Sequence, residues 1–248
     1  MSVLAIIGGS GFCSYNDVEI EEKKPVHTPF GEPSSLIWRG MLQGKPVIFM
    51  PRHGDEHHIA PHRINYRANI WALHTLGVEK IIAVAAVGGI GDNFTPGTIC
   101  IPDQIIDYTY GRESSFYSDD FSADKHFDFT YPYDESLRQQ LISTAAKMDM
   151  DLIEEGTYGA VQGPRLETAA EILRMRRDGC DMVGMTGMPE AYLARELGIA
   201  YASCAVIANK AAGLSDGLIT MEQIEQNLEQ GLTEVRALLV KLIATQSL

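Results

Sequence analysis

Two short stretches combine glycine, serine, arginine and histidine directly after apolar runs that predict strands. Gly8-Gly9-Ser10-Gly11 follows Val3–Ile7, and Pro51-Arg52-His53-Gly54 follows the run 46–50. Glycine lets backbone N–H groups approach an anion closely, and an arginine guanidinium can donate two parallel hydrogen bonds to a phosphate. Loops that follow strands of one sheet can converge on the same pocket, so this pattern predicts a phosphate site.

The glycine-rich stretch alone leaves an alternative open, a tight turn that binds nothing. It lacks the G-x-G-x-x-G spacing of a dinucleotide site, and no Gly-Lys-Ser/Thr follows as in a P-loop. A further apolar run, Lys80–Val87, also leads into glycines, at Gly88, Gly89 and Gly91. Because ligands of open α/β sheets lie beyond the carboxyl ends of strands, the second exit favours a binding site.

A cluster of histidines follows the arginine and suggests a metal site as another alternative. Its members are His53, His57, His58 and His62. Gly54 and Pro61 interrupt the helical spacing that two ligands would need, and Asp55 and Glu56 are adjacent to each other rather than at ligand spacing. We therefore predict no metal and interpret this stretch as a loop that lines an anionic site.

The elements that must position these residues alternate between strands and helices. Apolar runs predict strands at 3–7, 35–39, 46–50, 80–87, 156–162, 181–185 and 199–208. Helical periodicity predicts helices at 65–76, 134–148, about 163–177 and 221–244. No linker or repeat divides the sequence, so we predict one α/β domain over residues 1–248, with a mixed, twisted central β-sheet flanked by helices.

Composition narrows the functional classes. The net charge of −13, from 20 basic and 33 acidic residues, argues against nucleic acid as a partner. No apolar run is long enough to span a membrane, and no basic-then-apolar signal region is visible, so we expect no membrane association and a cytoplasmic location. The four cysteines, Cys13, Cys100, Cys180 and Cys204, form no C-x-x-C pair, which indicates free thiols.

A set of motifs, in order along nearly the whole chain, resembles the trimeric purine nucleoside phosphorylase and methylthioadenosine phosphorylase family. The motifs are GGSG, RHG, NYRANIWAL, AAVGG, GPRLET, GMTGMPE and the strand-end NK. The resemblance implies a nucleoside phosphorylase-like fold, a homotrimer and phosphorolysis, in which inorganic phosphate attacks the anomeric carbon of a nucleoside and the purine leaves. Phosphate is then a co-substrate, and neither a metal nor an organic cofactor is needed.

By this resemblance, phosphate is held by Ser10, Arg52, His53, the backbone of Ala86, and Thr186. The alternative for Thr186 is a strand-end residue that bonds its own turn. Many relatives carry a hydroxyl or amide side chain at the position of Ala85. This chain must therefore lose one phosphate donor or replace it, for example from the 57–62 loop.

The resemblance also assigns a ribose contact and a subunit contact. Met185 matches the methionine that packs against the ribose, with a plain core methionine as the alternative. His126 matches a histidine that reaches a neighbouring subunit's site near the 5′ end of the nucleoside, with a surface histidine as the alternative. His126 lies in the aromatic segment Pro102–Tyr133, a long stretch of the kind that is usually functional or packed at an interface.

The residues expected to contact the purine base predict the substrate class. Relatives that act on 6-oxopurines have an asparagine at the position of Asn209 and a glutamate at that of Glu167, and this chain has both. The asparagine amide can donate to N7 and O6 of hypoxanthine, and the carboxylate can accept from N1–H. The alternative for Glu167 is an exposed glutamate in the first turn of a helix. Leu166 stands where relatives stack an aromatic ring on the purine, which suggests a looser pocket.

The 5′ side decides between substrates within that class. Leu218, Ile219 and Met221 offer an apolar lining suited to a methylthio group, or they simply anchor the last helix to the core. We expect methylthioinosine as substrate, ahead of inosine or guanosine, with methylthioadenosine third. A purine-binding protein without catalysis is the alternative from another class, and Ala85 is its only support.

Overall fold

Residues 3–9, 18–215 and 217–245 are described by the computed structural model. Their strands form one sheet of ten: β1 (Val3–Gly8), β2 (Val18–Lys24), β3 (Ile37–Leu42), β4 (Lys45–Pro51), β5 (Val78–Gly89), β6 (Ile99–Cys100), β7 (Gln104–Asp107), β8 (Thr157–Ala160), β9 (Met182–Gly184) and β10 (Ala200–Lys210). The helices of the same residues are α1 (Tyr66–Thr75), α2 (Glu135–Ala146), α3 (Ala169–Asp178), α4 (Gly187–Glu196) and α5 (Met221–Thr245). Short 3₁₀ turns lie at Pro61–Arg63 and Ala123–Lys125.

The strand order is β2-β3-β4-β1-β5-β9-β8-β7, and β10 pairs with both β5 and β6. β1 runs parallel to β4 and β5, and β10 runs parallel to β5. β3 is antiparallel to β2 and β4, and β9 is antiparallel to β5. The prediction of an α/β fold with a mixed central sheet flanked by helices is therefore confirmed.

Both faces of the central strands are buried, as continuous apolar runs predict for parallel strands. Successive side chains of a strand point to opposite faces, so Ala5 and Ile7 of β1 join a cluster with α1 and α4. Leu4 and Ile6 join a second cluster with α2 and α5. Within the described ranges, no helix is both long and apolar enough to cross a membrane.

Several predicted boundaries were wrong. The strand predicted at 35–39 runs instead from Ile37 to Leu42, so Gly40 lies inside β3. Glycine fits there because β2 passes so close that a Cβ on Gly40 would lie 2.5 Å from the Glu19 carbonyl oxygen. Gly88 and Gly89 belong to β5 and pair with β9. The GPRLET segment is irregular, and α3 begins only at Ala169. The strands β2, β6 and β7 and the whole of α4 were not predicted.

Candidate active site

An opening in the sheet lies beside β5. On one edge β5 pairs with β1 as far as Ala83 and with β9 from Gly88, so residues 84–87 have no strand partner there among the described residues. The Val84 carbonyl on this edge accepts a hydrogen bond from Arg52 Nη1 at 3.1 Å. Residues two apart in a strand point their N–H groups to the same edge, so the N–H of Ala86 also faces the opening. Ala86 is exposed although the residues on either side of it are buried.

Arg52 enters this opening from the end of β4. Its backbone N–H donates to the Gly8 carbonyl at 2.9 Å, which continues the β1–β4 pairing and places Arg52 next to the start of the glycine-rich stretch. Its Nε and Nη2 donate to the two carboxylate oxygens of Glu190, at 2.7 and 2.8 Å. Both side chains are almost completely buried, and Tyr201 Oη donates to Glu190 Oε1 at 2.9 Å.

The Arg52–Glu190 pair fixes a cation in the sheet opening. Burial alone would lower the pKa of Arg52, but the adjacent Glu190 carboxylate raises it overall, so the guanidinium stays charged. The bonds to Glu190 and Val84 use three of its five N–H groups and leave one N–H on each of Nη1 and Nη2, two donors available to a phosphate. Glu190 was not singled out from the sequence, although it stands in the GMPE motif.

His53 follows Arg52 and is also buried. Its Nδ1 lies 2.8 Å from the Ile59 carbonyl oxygen, which can only accept, so Nδ1 carries the hydrogen. Burial, followed by the positive charge of Arg52, lowers the pKa of His53 to about 4. The ring is therefore neutral at neutral pH, and Nε2 presents a lone pair that can accept a hydrogen bond from a P–OH group of hydrogen phosphate.

The lowered pKa of His53 predicts that the phosphate-free protein is less stable at acidic pH than at neutral pH. The unfolded chain binds the His53 proton near pH 6.5 and the native protein only near pH 4, so stability falls as pH falls through this window. Between pH 7 and pH 4 this proton uptake should lower the free energy of unfolding by on the order of 3 kcal/mol. Urea unfolding at pH 7, 5.5 and 4 should show a larger loss for wild type than for His53→Gln. Equal losses in the two proteins would rule this interpretation out.

The histidine-rich loop folds back on itself beside His53. The His57 ring stacks on the His53 ring with 4.3 Å between centroids. His58 lies over Gly54, where an added Cβ would be 2.5 Å from the His58 ring and where φ is +79°. In the part of the chain that the structure describes, no group of three or more His, Cys, Asp or Glu residues is arranged to hold a metal.

Thr186 lies at the N-terminus of α4 and is buried. Its hydroxyl does not cap the helix, and its backbone N–H donates to Tyr158 Oη at 3.5 Å. Thr186 follows β9, which pairs antiparallel with β5 at Gly88 and Gly89, so it lies on the same side of β5 as the opening. Glu190, four residues further on, holds Arg52 and so brings the Thr186 segment toward the guanidinium. Ser10 lies outside the described residues.

Met185 connects this region to the GPRLET segment. A Cβ on Gly163 would lie 2.5 Å from Met185 Sδ, so the methionine packs directly on the start of that segment. Met185 is partly buried against a small cluster that includes Val161 and Ala211. Met185, the predicted ribose contact, therefore lies between Thr186, which it precedes, and the segment that leads to Glu167.

Glu167 is not a first-turn glutamate, because it precedes the N-cap residue Thr168. Glu171 has the first-turn role: it completes a capping box with Thr168 and pairs with Arg165 through bonds of 2.7 and 2.8 Å. Glu167 is partly buried, and burial raises the pKa of its carboxyl group. The neighbouring Leu166 is 44% exposed, which fits a loosely covered pocket.

Asn209 lies near the end of β10, and its Nδ2 donates to the Lys210 carbonyl at 2.7 Å. The chain that follows turns against the start of α3, where a Cβ on Gly213 would lie 2.5 Å from the Ala169 Cβ. This contact brings the segments that carry Asn209 and Glu167 side by side. The second N–H of the Asn209 amide and the Glu167 carboxylate are the groups expected to read a purine.

Three predicted substrate contacts are exposed or partly exposed in this chain. His126 is exposed and lines a cavity of about 440 Å³ with Tyr192 and Glu196. Tyr192 and Glu196 lie in the second half of α4, six and ten residues after Thr186 in the sequence. Ile219 is partly exposed and Met221 is 66% exposed.

Comparison with known proteins shows which family and which proteins this chain is similar to. Residues 3–244 match the phosphorylase superfamily. A probable S-methyl-5′-thioinosine phosphorylase of Pseudomonas syringae pv. tomato is 48% identical over 98% of this chain and 99% of its own. The 6-oxopurine nucleoside phosphorylase of Pyrococcus furiosus is 42% identical over 98% and 92%. The structure of methylthioadenosine phosphorylase from Schistosoma mansoni in complex with adenine has a TM-score of 0.91 at 32% identity, covering 98% of this chain and 91% of that one.

Proposed function

The chain belongs to the phosphorylase superfamily, and from this premise we propose that it is an S-methyl-5′-thioinosine phosphorylase. It is an enzyme of the purine nucleoside phosphorylase type, with phosphate as co-substrate. The proposed reaction converts S-methyl-5′-thioinosine and phosphate to hypoxanthine and 5-methylthioribose 1-phosphate. The observation that carries the choice of purine is the presence of both Asn209 and Glu167 in this chain. Its relatives named probable S-methyl-5′-thioinosine phosphorylase support the same choice.

The proposed mechanism begins with phosphate. The remaining N–H groups of Arg52 Nη1 and Nη2, the Ala86 N–H, Thr186 and Ser10 hold it, and His53 accepts from its P–OH group. A phosphate oxygen forms a bond to C1′ while the C1′–N9 bond breaks, and the electron pair of that bond moves into the purine. Alignment of the phosphate lowers the activation barrier, since it makes the attack effectively intramolecular.

The leaving purine requires stabilisation on its own side. Negative charge develops on the base as C1′–N9 breaks, and the Asn209 amide donates to N7, where that charge is taken up. The departing base then gains a proton from water to give hypoxanthine, and the sugar phosphate releases the proton of its P–OH group to water. Glu167 accepts from N1–H of hypoxanthine. In adenine, N1 is itself an acceptor, so an ionised Glu167 would oppose it lone pair to lone pair. The same two side chains thereby assist departure and select the 6-oxopurine.

Preference for a methylthio group over a 5′-hydroxyl is the finer part of the proposal. It is supported by the names of the relatives and by the apolar residues Leu218, Ile219 and Met221 at the start of α5. The buried free thiols Cys100, Cys180 and Cys204 fit a reducing compartment, and a cytoplasmic location is part of the proposal.

We expect a homotrimer whose sites lie near subunit boundaries, with His126 reaching a neighbouring site. Large aromatic side chains of the Pro102–Tyr133 segment are exposed in one subunit: Tyr110 by 72%, Phe121 by 60% and Tyr131 by 71%. The concentration of exposed aromatic side chains in one segment supports an interface there. Sedimentation equilibrium should give three times the 27.3 kDa mass of the chain. A monomer with full activity would contradict this arrangement.

One assay separates an enzyme from a binding protein. Purified protein is incubated with S-methyl-5′-thioinosine, with and without inorganic phosphate, and free hypoxanthine is measured. The proposal predicts release that depends on phosphate. Tight nucleoside binding without phosphate-dependent release would instead identify a purine-binding protein.

A further inference from the structure

Arg112 lies in the irregular segment between β7 and α2, and its guanidinium is surrounded by six hydrogen-bond acceptors. The two N–H groups of Nη1 are shared among three acceptors, the Met185 and Met188 carbonyls at 2.9 and 2.6 Å and Tyr66 Oη at 3.2 Å. Nη2 donates to the Val161 and Gln162 carbonyls at 3.1 and 2.9 Å, and Nε donates to Gln162 Oε1 at 3.1 Å. These bonds involve every donor atom of the side chain.

The four carbonyls belong to the two segments that form the proposed site. Met185 and Met188 are on either side of Thr186, on the phosphate side. Val161 and Gln162 immediately precede Gly163, where the segment that carries Glu167 begins. Arg112 therefore links the phosphate side to the purine side, and nothing in the sequence motifs assigned it a role.

We propose that Arg112 is a positioning residue that locks the 185–188 segment to the 161–167 segment, so that phosphate and purine are held in register for reaction. The proposal rests on the proposed function, since it is through that reaction that the register matters. Arg112 itself contacts no reacting atom. It acts through the backbone of Thr186 and of the residues that lead to Glu167.

Only arginine can make this connection. Its planar guanidinium spreads donors over two edges, so that one edge faces each segment. Lysine has the same charge but donates from a single atom and cannot reach both pairs of carbonyls. Without the hydrogen bonds of Arg112 to one segment, the two segments should shift relative to each other. A misplacement of reacting groups by about 1 Å can lower the rate about 100-fold, even when the substituted residue lies away from the reacting atoms.

The test compares Arg112→Ala, Arg112→Lys and a matched control, Arg67→Ala. Arg67 lies on α1, contacts the same segment by donating to the Ser115 carbonyl, and pairs with Glu113 at 3.1 Å, but contacts neither site segment. We expect both Arg112 variants to lose about 100-fold in kcat/KM for S-methyl-5′-thioinosine. Added guanidinium, below unfolding concentrations, should restore part of the activity of Arg112→Ala only. Arg67→Ala should retain wild-type kcat/KM.

A second readout does not depend on activity. Amide hydrogen exchange of the ligand-free protein should accelerate at 161–168 and 185–188 in the Arg112 variants and stay unchanged there in Arg67→Ala. Unchanged exchange in Arg112→Lys, or wild-type activity in either folded Arg112 variant, would overturn the proposal, as would an equal loss in Arg67→Ala. If wild type releases no hypoxanthine, the proposed function fails and exchange alone still decides whether Arg112 locks the segments. If Arg112→Ala does not fold, Arg112→Lys carries the same comparison.

Discussion

Replacing Arg52 with alanine should destabilise the protein and remove most of its ability to use phosphate. The variant leaves Glu190 as a buried carboxylate without its cation, which costs about 3–5 kcal/mol in the free energy of unfolding. It also removes a charge-assisted bond to phosphate worth about 1.5–3 kcal/mol, which should raise the phosphate KM by about 10- to 150-fold. Urea unfolding and phosphate-dependent kinetics measure the two effects separately.

A second substitution distinguishes the two roles. Arg52→Ala combined with Glu190→Gln removes the unpaired charge and should recover much of the stability but not the phosphate KM. Arg138→Ala provides the matched control, because Arg138 is buried and bonds the Pro102 and Glu154 carbonyls away from the sheet opening. It should lose stability without a change in phosphate KM. A wild-type phosphate KM in the stabilised double variant would show that Arg52 does not bind phosphate.

Exchanging the purine-reading groups should move the substrate preference from methylthioinosine toward methylthioadenosine. In Asn209→Asp, an ionised carboxylate would face N7 and O6 of hypoxanthine with lone pairs only, whereas a protonated one can donate to N7 of adenine and accept from its amine. Fully buried mismatches of this kind discriminate by roughly 10⁴-fold. We expect a smaller effect, because Leu166 is 44% exposed and covers the ring loosely. Glu167→Ser should be needed as well, since Glu167 still favours N1–H.

The control for the second substitution is Glu171→Ser. Glu171 is four residues further on and pairs with Arg165, so its loss disturbs the start of α3 without removing a purine contact. The ratio of kcat/KM for the two nucleosides should change in Asn209→Asp and most in the Asn209→Asp/Glu167→Ser double variant. It should be unchanged in Glu171→Ser. Ratios that stay the same in all variants would remove Asn209 and Glu167 from base selection.

Local signals account for what the sequence predicted correctly. Val3–Ile7 and 80–87 are continuous apolar runs rich in β-branched residues, and they form β1 and most of β5. The face of α5 was visible because its apolar residues recur every three to four positions. In contrast, α4 begins with Gly187 and Pro189, and Met188 and Pro189 have non-helical dihedral angles. Because glycine and proline usually interrupt helices, this start does not indicate a helix from the sequence.

The parts of the site that the sequence could not reveal depend on contacts between distant residues. Arg52 was recognised at a strand end, but its pairing with Glu190 spans 138 positions and has no periodicity to announce it. The same holds for Arg112, whose acceptors lie 46 to 76 positions away. Glu167 was placed in a helix because Gly163 and Pro164 precede a helical pattern, whereas the capping box of Thr168 and Glu171 starts α3 later.

The central claim is the 6-oxopurine specificity of a phosphate-dependent enzyme, and a single comparison tests it most directly. Purified wild-type protein is given S-methyl-5′-thioinosine or S-methyl-5′-thioadenosine with inorganic phosphate at neutral pH, and kcat/KM is measured for release of the base. We predict that hypoxanthine is released with the higher kcat/KM and that neither base is released without phosphate. A higher kcat/KM for methylthioadenosine would contradict the roles given to Asn209 and Glu167.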